Sequence, residues 1–122
     1  MARNKSQLEV AWVKESTHLV DWEAILVRVS HGKAMLEYGA NHTIYRQGDP
    51  ADSVFYLQRG KVKHAVTSKQ GKEAIVALLG DGDFFGEGGL AGQPFRTATA
   101  TAITDCTLFK IEKALMARML HK

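Results

Sequence analysis

From Lys33 to Glu112 the chain breaks into short β-rich runs divided by turn residues, and that rhythm leaves few architectures open. MLEY leads to GANH, TIYRQ to GDPADS, and VFYLQ to RGK. VKHAVT is followed by SKQGK and EAIVALL by GDGD, while TATATAI and CTLFKIE close the series. Turn signals about every 8 to 12 residues, with such runs between them, mark an all-β sandwich or barrel. Pro50 and Pro94 both fall in loops, where a missing N–H does no harm. Gln70-Gly71 suits a hairpin between two strands. Thr97, Thr99 and Thr101 alternate with Ala98, Ala100 and Ala102, which predicts a strand with two small-residue faces.

Helical spacing appears only at the two ends. In LVDWEAILVRVSHGK, Trp22, Ile25, Leu26 and Val29 fall on a single helical face, with Asp21 as N-cap and Gly32 as the stop. In EKALMARMLHK, Leu115, Met116, Met119 and Leu120 share a face, an apolar stripe that looks unfinished. Residues 1–18 are mixed polar and read as a loosely held arm; residues 19–122 form one domain. The expected fold is mainly β: a β-roll or jelly roll (double-stranded β-helix) flanked by N- and C-terminal α-helices.

Several function classes fall away. The net charge of +3 is spread along the chain, without the Lys/Arg cluster of a nucleic-acid face. A single cysteine, Cys106, rules out a disulfide framework or a multi-cysteine cluster site within the chain, and reads as a small half-buried strand residue. The five histidines stand singly, with no metal-ligand spacing, so no metal site is expected. His64, between Val62 and Val66, reads as a satisfied histidine on a half-buried strand. No nucleophile–base motif stands out, so no catalytic residue is assigned and an enzyme is disfavoured. No apolar run reaches membrane-spanning length, and a cytoplasmic protein is expected.

One constellation carries chemistry: GDFFGEGGLAGQPFRTATA, residues 82 to 100, with five glycines, one glutamate and one arginine. Gly86, Gly88 and Gly89 let backbone amides approach a ligand closely. LAGQ reads as one helical turn, whose free N–H groups favour an anion. Arg96 suits a phosphate, because its planar fork bonds two oxygens at once. Glu87 would repel a phosphate and suits a sugar hydroxyl instead. Spacing alone leaves two readings open: a cradle for a nucleotide, or a glycine-rich turn with a surface ion pair.

These residues resemble the phosphate-binding cassette of cyclic nucleotide-binding domains, in which F-G-E is followed by a short helix, then Arg and Ser, Thr or Ala. IYRQGDPADSVFYLQRGKVK matches the family upstream, with Gly48 and Gly60 at strand junctions, and the likeness runs from about residue 20 to about 120. The tone is that of Crp/Fnr-type bacterial transcription regulators. The resemblance implies an effector, cAMP or cGMP or another small anion, in place of a cofactor. Glu87 and the backbone at Gly86 would take the ribose 2′-hydroxyl. Arg96, Thr97 and the amide of Gly89 would take the cyclic phosphate. It also implies a C-terminal dimerisation helix and no DNA binding without the family's helix-turn-helix. The unfinished apolar stripe suits a homodimer through that helix, which, next to the strand after the cassette, is the part expected to move on signalling. A non-catalytic β-roll association module with a vestigial pocket is the alternative.

Overall fold

The computed structural model describes residues 21–120; the polar arm expected over 1–18 lies outside them. The described chain runs α1 (Trp22–Arg28), β1 (Lys33–Tyr38), β2 (Thr43–Tyr45), β3 (Ser53–Arg59), β4 (Val62–Thr67), β5 (Glu73–Leu79) and β6 (Phe84–Phe85). A 3-10 helix (Glu87–Ala91), β7 (Thr99–Ala102), β8 (Cys106–Glu112) and α2 (Lys113–Leu120) follow. The strands form two four-stranded antiparallel sheets, ordered β1-β8-β3-β6 and β2-β7-β4-β5. This is the expected β-roll with a helix at either end.

Two apolar clusters hold it together, and β3 feeds both. Val54 and Tyr56 join Trp22, Leu26, Leu115 and Met116 under the helices. Phe55 and Leu57 face the other way and meet Tyr45, Val62, Ala100 and Leu108 between the sheets. A strand buried on both faces needs a continuous apolar run, and VFYLQ is one. β6 is the same device in two residues, with Phe84 in the first cluster and Phe85 in the second. Ala98, Ala100 and Ala102 are buried, so the small face of the Thr/Ala repeat is where the sheets close. The strand itself begins at Thr99, because the residues before it bend around Arg96.

α1 buries Trp22 and Leu26, with Ile25 and Val29 packed beside them, as the spacing predicts. Asp21 caps it: its Oδ1 accepts from the Ala24 N–H at 3.1 Å. The helix ends before Gly32, where Val29 turns extended and Lys33 Nζ donates to the carbonyls of Leu26 (2.6 Å) and Val27 (3.3 Å). α2 buries Leu115 and Met116, and Met119 and Leu120 pack half-buried on the same cluster. The stripe that looked unfinished therefore finds cover inside the domain.

Cys106 is buried at 3% exposure rather than half-buried, and the chain presses against it from Gly60. Gly60 has φ +115, and a Cβ there would lie 2.6 Å from both Cys106 Sγ and the Asp105 carbonyl oxygen. Gly71, at φ +83 in the β4–β5 turn, has nothing within 4 Å. Gly60→Ala is therefore expected to destabilise by about 2–4 kcal/mol through clash and strain together. Gly71→Ala meets strain alone, about 1–2 kcal/mol. Urea denaturation of the two variants checks this; equal losses would contradict it.

Candidate functional site

Leaving β6, the chain takes a left-handed step at Gly86 (φ +74), forms the 3-10 helix, and takes another at Gly92 (φ +87). The helical turn therefore lies earlier than LAGQ, because Gly92 ends it. Its return arm is laced to the loop before β3. The Arg96 N–H donates to the Asp49 carbonyl (2.7 Å), the Gly48 N–H to the Arg96 carbonyl (2.8 Å), and the Ala51 N–H to the Pro94 carbonyl (2.9 Å). With this extended backbone held on one side, Phe95 faces solvent and Arg96 faces inward.

Arg96 is only 6% exposed. Its Nη1 donates to the Gly86 carbonyl at 2.8 Å. Its Nη2 donates to the Ser53 carbonyl at 2.8 Å and to Ser53 Oγ at 3.1 Å. The guanidinium lies over the Tyr45 ring at 4.2 Å, with the Phe55 ring at 5.6 Å. Asp52 Oδ1 stands 3.9 Å from Nη2 on a largely exposed side chain, so it neutralises little of the charge. Nε is buried without a hydrogen-bond partner among the described residues. Burial pulls the Arg96 pKa below its ordinary value, while Tyr45, Asp52, Asp49 and Glu87 oppose the shift. A buried cation whose hydrogen-bond acceptors are neutral, with Nε and one N–H of Nη1 unanswered among the described residues, favours an anion beside it.

Arg96 lines a cavity of about 450 Å³. Gly86, Glu87, Gly88 and Thr97 line it from the loop, so four of the five expected site residues come together with Arg96 among them. Gly89 is buried away from this lining, where a Cβ would meet the Ala51 carbonyl oxygen at 2.5 Å. Its bare Cα lets the 3-10 turn lie flat on the neighbouring loop. Gly86 is equally constrained, since a Cβ would stand 2.8 Å from Arg96 Nη1.

The strands supply the rest of the wall: Tyr45, His64, Val66 and Val76. Val76 gets there through a bulge: His64 pairs with Ala77 and Ala65 with Ile75, leaving Val76 as the extra residue of β5. His64 is satisfied, as expected, through Nε2 and the Tyr45 hydroxyl, but it also lines the cavity. Burial raises the Tyr45 pKa, partly offset by Arg96. Burial and then the Arg96 charge lower that of His64. Tyr45, Ser53 and His64 are site residues that the sequence reading missed. Only the alternation of His64 with Val62 and Val66 gave any signal, and it spoke of burial.

Among the described residues, no group of three or more His, Cys, Asp or Glu stands together, and no helix is long and apolar enough to cross a membrane. The lowered His64 pKa has a stability consequence. The unfolded chain takes up this proton near pH 6.5, whereas the native imidazole resists it to lower pH. Native stability should therefore fall as pH drops below about 6.5, down to the depressed native pKa. Urea midpoints for wild type and His64→Phe across that range should show a shallower fall in the variant; parallel curves would contradict this.

Comparison with known proteins agrees with this fold. A family model described as "Cyclic nucleotide-binding domain" matches residues 35–122. The cAMP-activated global transcriptional regulator CRP of Pasteurella multocida is 38% identical over 77 residues, 62% of this chain and 36% of that protein. A lysophospholipase of Aspergillus fumigatus is 30% identical over 91 residues, 75% of this chain and 6% of that protein. The crystal structure of the catabolite activator protein of Thermus thermophilus superposes with a TM-score of 0.69 at 30% identity, covering 83% of this chain and 48% of that one. The chain thus spans about a third of the bacterial regulators' length (35–36%). With fold and family model in agreement, the chain belongs to the cyclic nucleotide-binding domain family.

Proposed function

We propose that the cavity binds a cyclic nucleotide, cAMP or cGMP, and that the chain is the effector-sensing part of a Crp/Fnr-type transcription regulator. The observation that carries this reading is Arg96: a buried cation with neutral partners and an unanswered Nε, lining a cavity beside Glu87 and Thr97. A cyclic phosphate supplies one negative charge and two exocyclic oxygens, which suit the remaining donors of the guanidinium. Glu87 would accept from the ribose 2′-hydroxyl, and Thr97 would offer its hydroxyl to the phosphate. The amide of Gly89, at the third residue of the turn, would add a backbone donor to the phosphate, and the turn of five residues contributes little dipole of its own. The volume falls within the roughly 300–1,000 Å³ of small-molecule sites.

We further propose a binding role without turnover, in the cytoplasm, with homodimerisation through α2 and DNA contact left to other parts of a regulator. The similarity to cAMP-activated transcriptional regulators supports the regulatory part of this reading. A second reading, an association module with a vestigial pocket, draws on exposed apolar residues of the β5 edge, Ile75 and Leu78 at 57% and 69% exposure. Ligand binding separates the two. In calorimetric titration, wild type should bind cAMP or cGMP, and saturating ligand should raise its melting temperature. Arg96→Ala should weaken binding roughly 30-fold to several-thousand-fold. Arg96→Lys, which keeps the charge but loses the fork, should also weaken it and covers the case in which alanine impairs folding. No binding by folded wild type would overturn the proposal.

Signalling would pass through the core. Leu90, in the 3-10 turn, is buried in the same cluster as Leu115 and Met116 of α2. A Cβ on Gly89 would lie 3.4 Å from the Lys113 side chain, so the turn and the start of α2 are in close register. A ligand that shifts the turn must repack that cluster, and it shifts the equilibrium only as far as it favours one packing. Hydrogen exchange over residues 113–120 should change on ligand binding; unchanged protection there would contradict the coupling.

A further inference from the structure

We propose that His64 is a specificity-determining residue of this cavity: its Nδ1–H donates to a carbonyl on the ligand's base and so favours a 6-oxopurine over a 6-aminopurine, an inference that rests on the cyclic-nucleotide reading of the site. His64 lines the cavity from β4, and its ring is wedged between Tyr45 and Phe85, with centroids 5.6 Å and 5.7 Å away. Nε2 meets the Tyr45 hydroxyl, while Nδ1 makes no hydrogen bond among the described residues. The tautomer follows from the chemistry around the pair. The phenol is a hydroxyl donor, and the Arg96 guanidinium 4.2 Å over its ring strengthens it in that role. The same charge disfavours an imidazolium. The phenol therefore donates, Nε2 accepts, and the neutral ring carries its proton on Nδ1.

Val66 and Val76, the other β-hairpin residues of the lining, offer apolar surface and no competing side-chain donor. A base packed against them meets one polar group from this hairpin, and that group is a donor. Guanine presents O6 and N7, both acceptors, where adenine presents an amine beside N7. A donor facing an amine leaves both unpaired, which is costly in a partly desolvated site.

The test compares cAMP, cGMP and cyclic inosine monophosphate, which has the 6-oxo group but lacks the 2-amino group of guanine. Calorimetric titration of wild type should place the inosine and guanine nucleotides together, roughly tenfold or more tighter than cAMP. His64→Phe, which keeps an aromatic ring beside Phe85, should bring the three within about threefold of one another. Tyr45→Phe, which releases the tautomer, should narrow the preference as well. If wild type prefers cAMP, or the inosine nucleotide behaves like cAMP, the inference is overturned while the site reading stands. The same holds if His64→Phe lowers the melting temperature yet keeps the wild-type ratio, since His64 would then be purely structural. Failure of wild type to bind any of the three would overturn both readings.

Discussion

The guanidinium of Arg96 sits inside the protein wall with its hydrogen bonds on neutral acceptors and the Asp52 carboxylate at 3.9 Å, and the shape of the cavity depends on that choice. Its three hydrogen bonds join the start of β3, at Ser53, to the residue leaving β6, at Gly86. Its backbone ties the return arm of the cassette to the loop over Gly48 and Asp49. Hydrogen bonds to a charged donor contribute about 1.5–3 kcal/mol each, and a desolvated cation over an aromatic face about 2 kcal/mol. These terms offset the desolvation cost of a buried ion while leaving its charge standing. A carboxylate at bonding distance would have served stability equally well and abolished the attraction for an anion.

The glycines around Arg96 do separate jobs, although they look alike in sequence. Gly86 makes room for the guanidinium and offers it a carbonyl. Gly89 lets the 3-10 turn rest on Ala51, and Gly92 ends that turn in a left-handed step. Between them Leu90 drops into the helical cluster. A segment with one hydrophobic anchor and otherwise bare backbone can be rigidly placed and still lie close to a guest.

Much of this was legible beforehand because it is written in local pattern. The apolar face of α1, the Asp21 cap, the β5 run and the β3 run each carry their own periodicity, and the resemblance of the cassette drew attention to Arg96. What escaped depends on partners distant in the chain. Ser53 is an unremarkable serine until Arg96, 43 residues later, arrives at its hydroxyl. Tyr45 and His64 become a pair only when β2 and β4 both align with β7. β6 is two residues long, too short for any period to show.

The two sides of the chamber are embedded to different depths. β5 is the outermost strand of its sheet, paired with β4 alone, and its bulged Val76 reaches the lining from a position that is 59% exposed. Arg96, by contrast, is locked among buried neighbours. Exchanging side chains on β5 disturbs few packing partners, whereas exchanging the arginine unravels the seam between strand and loop. The protein is thereby built for retuning: its preference among guests can drift on one wall while the anchor on the other keeps the domain intact.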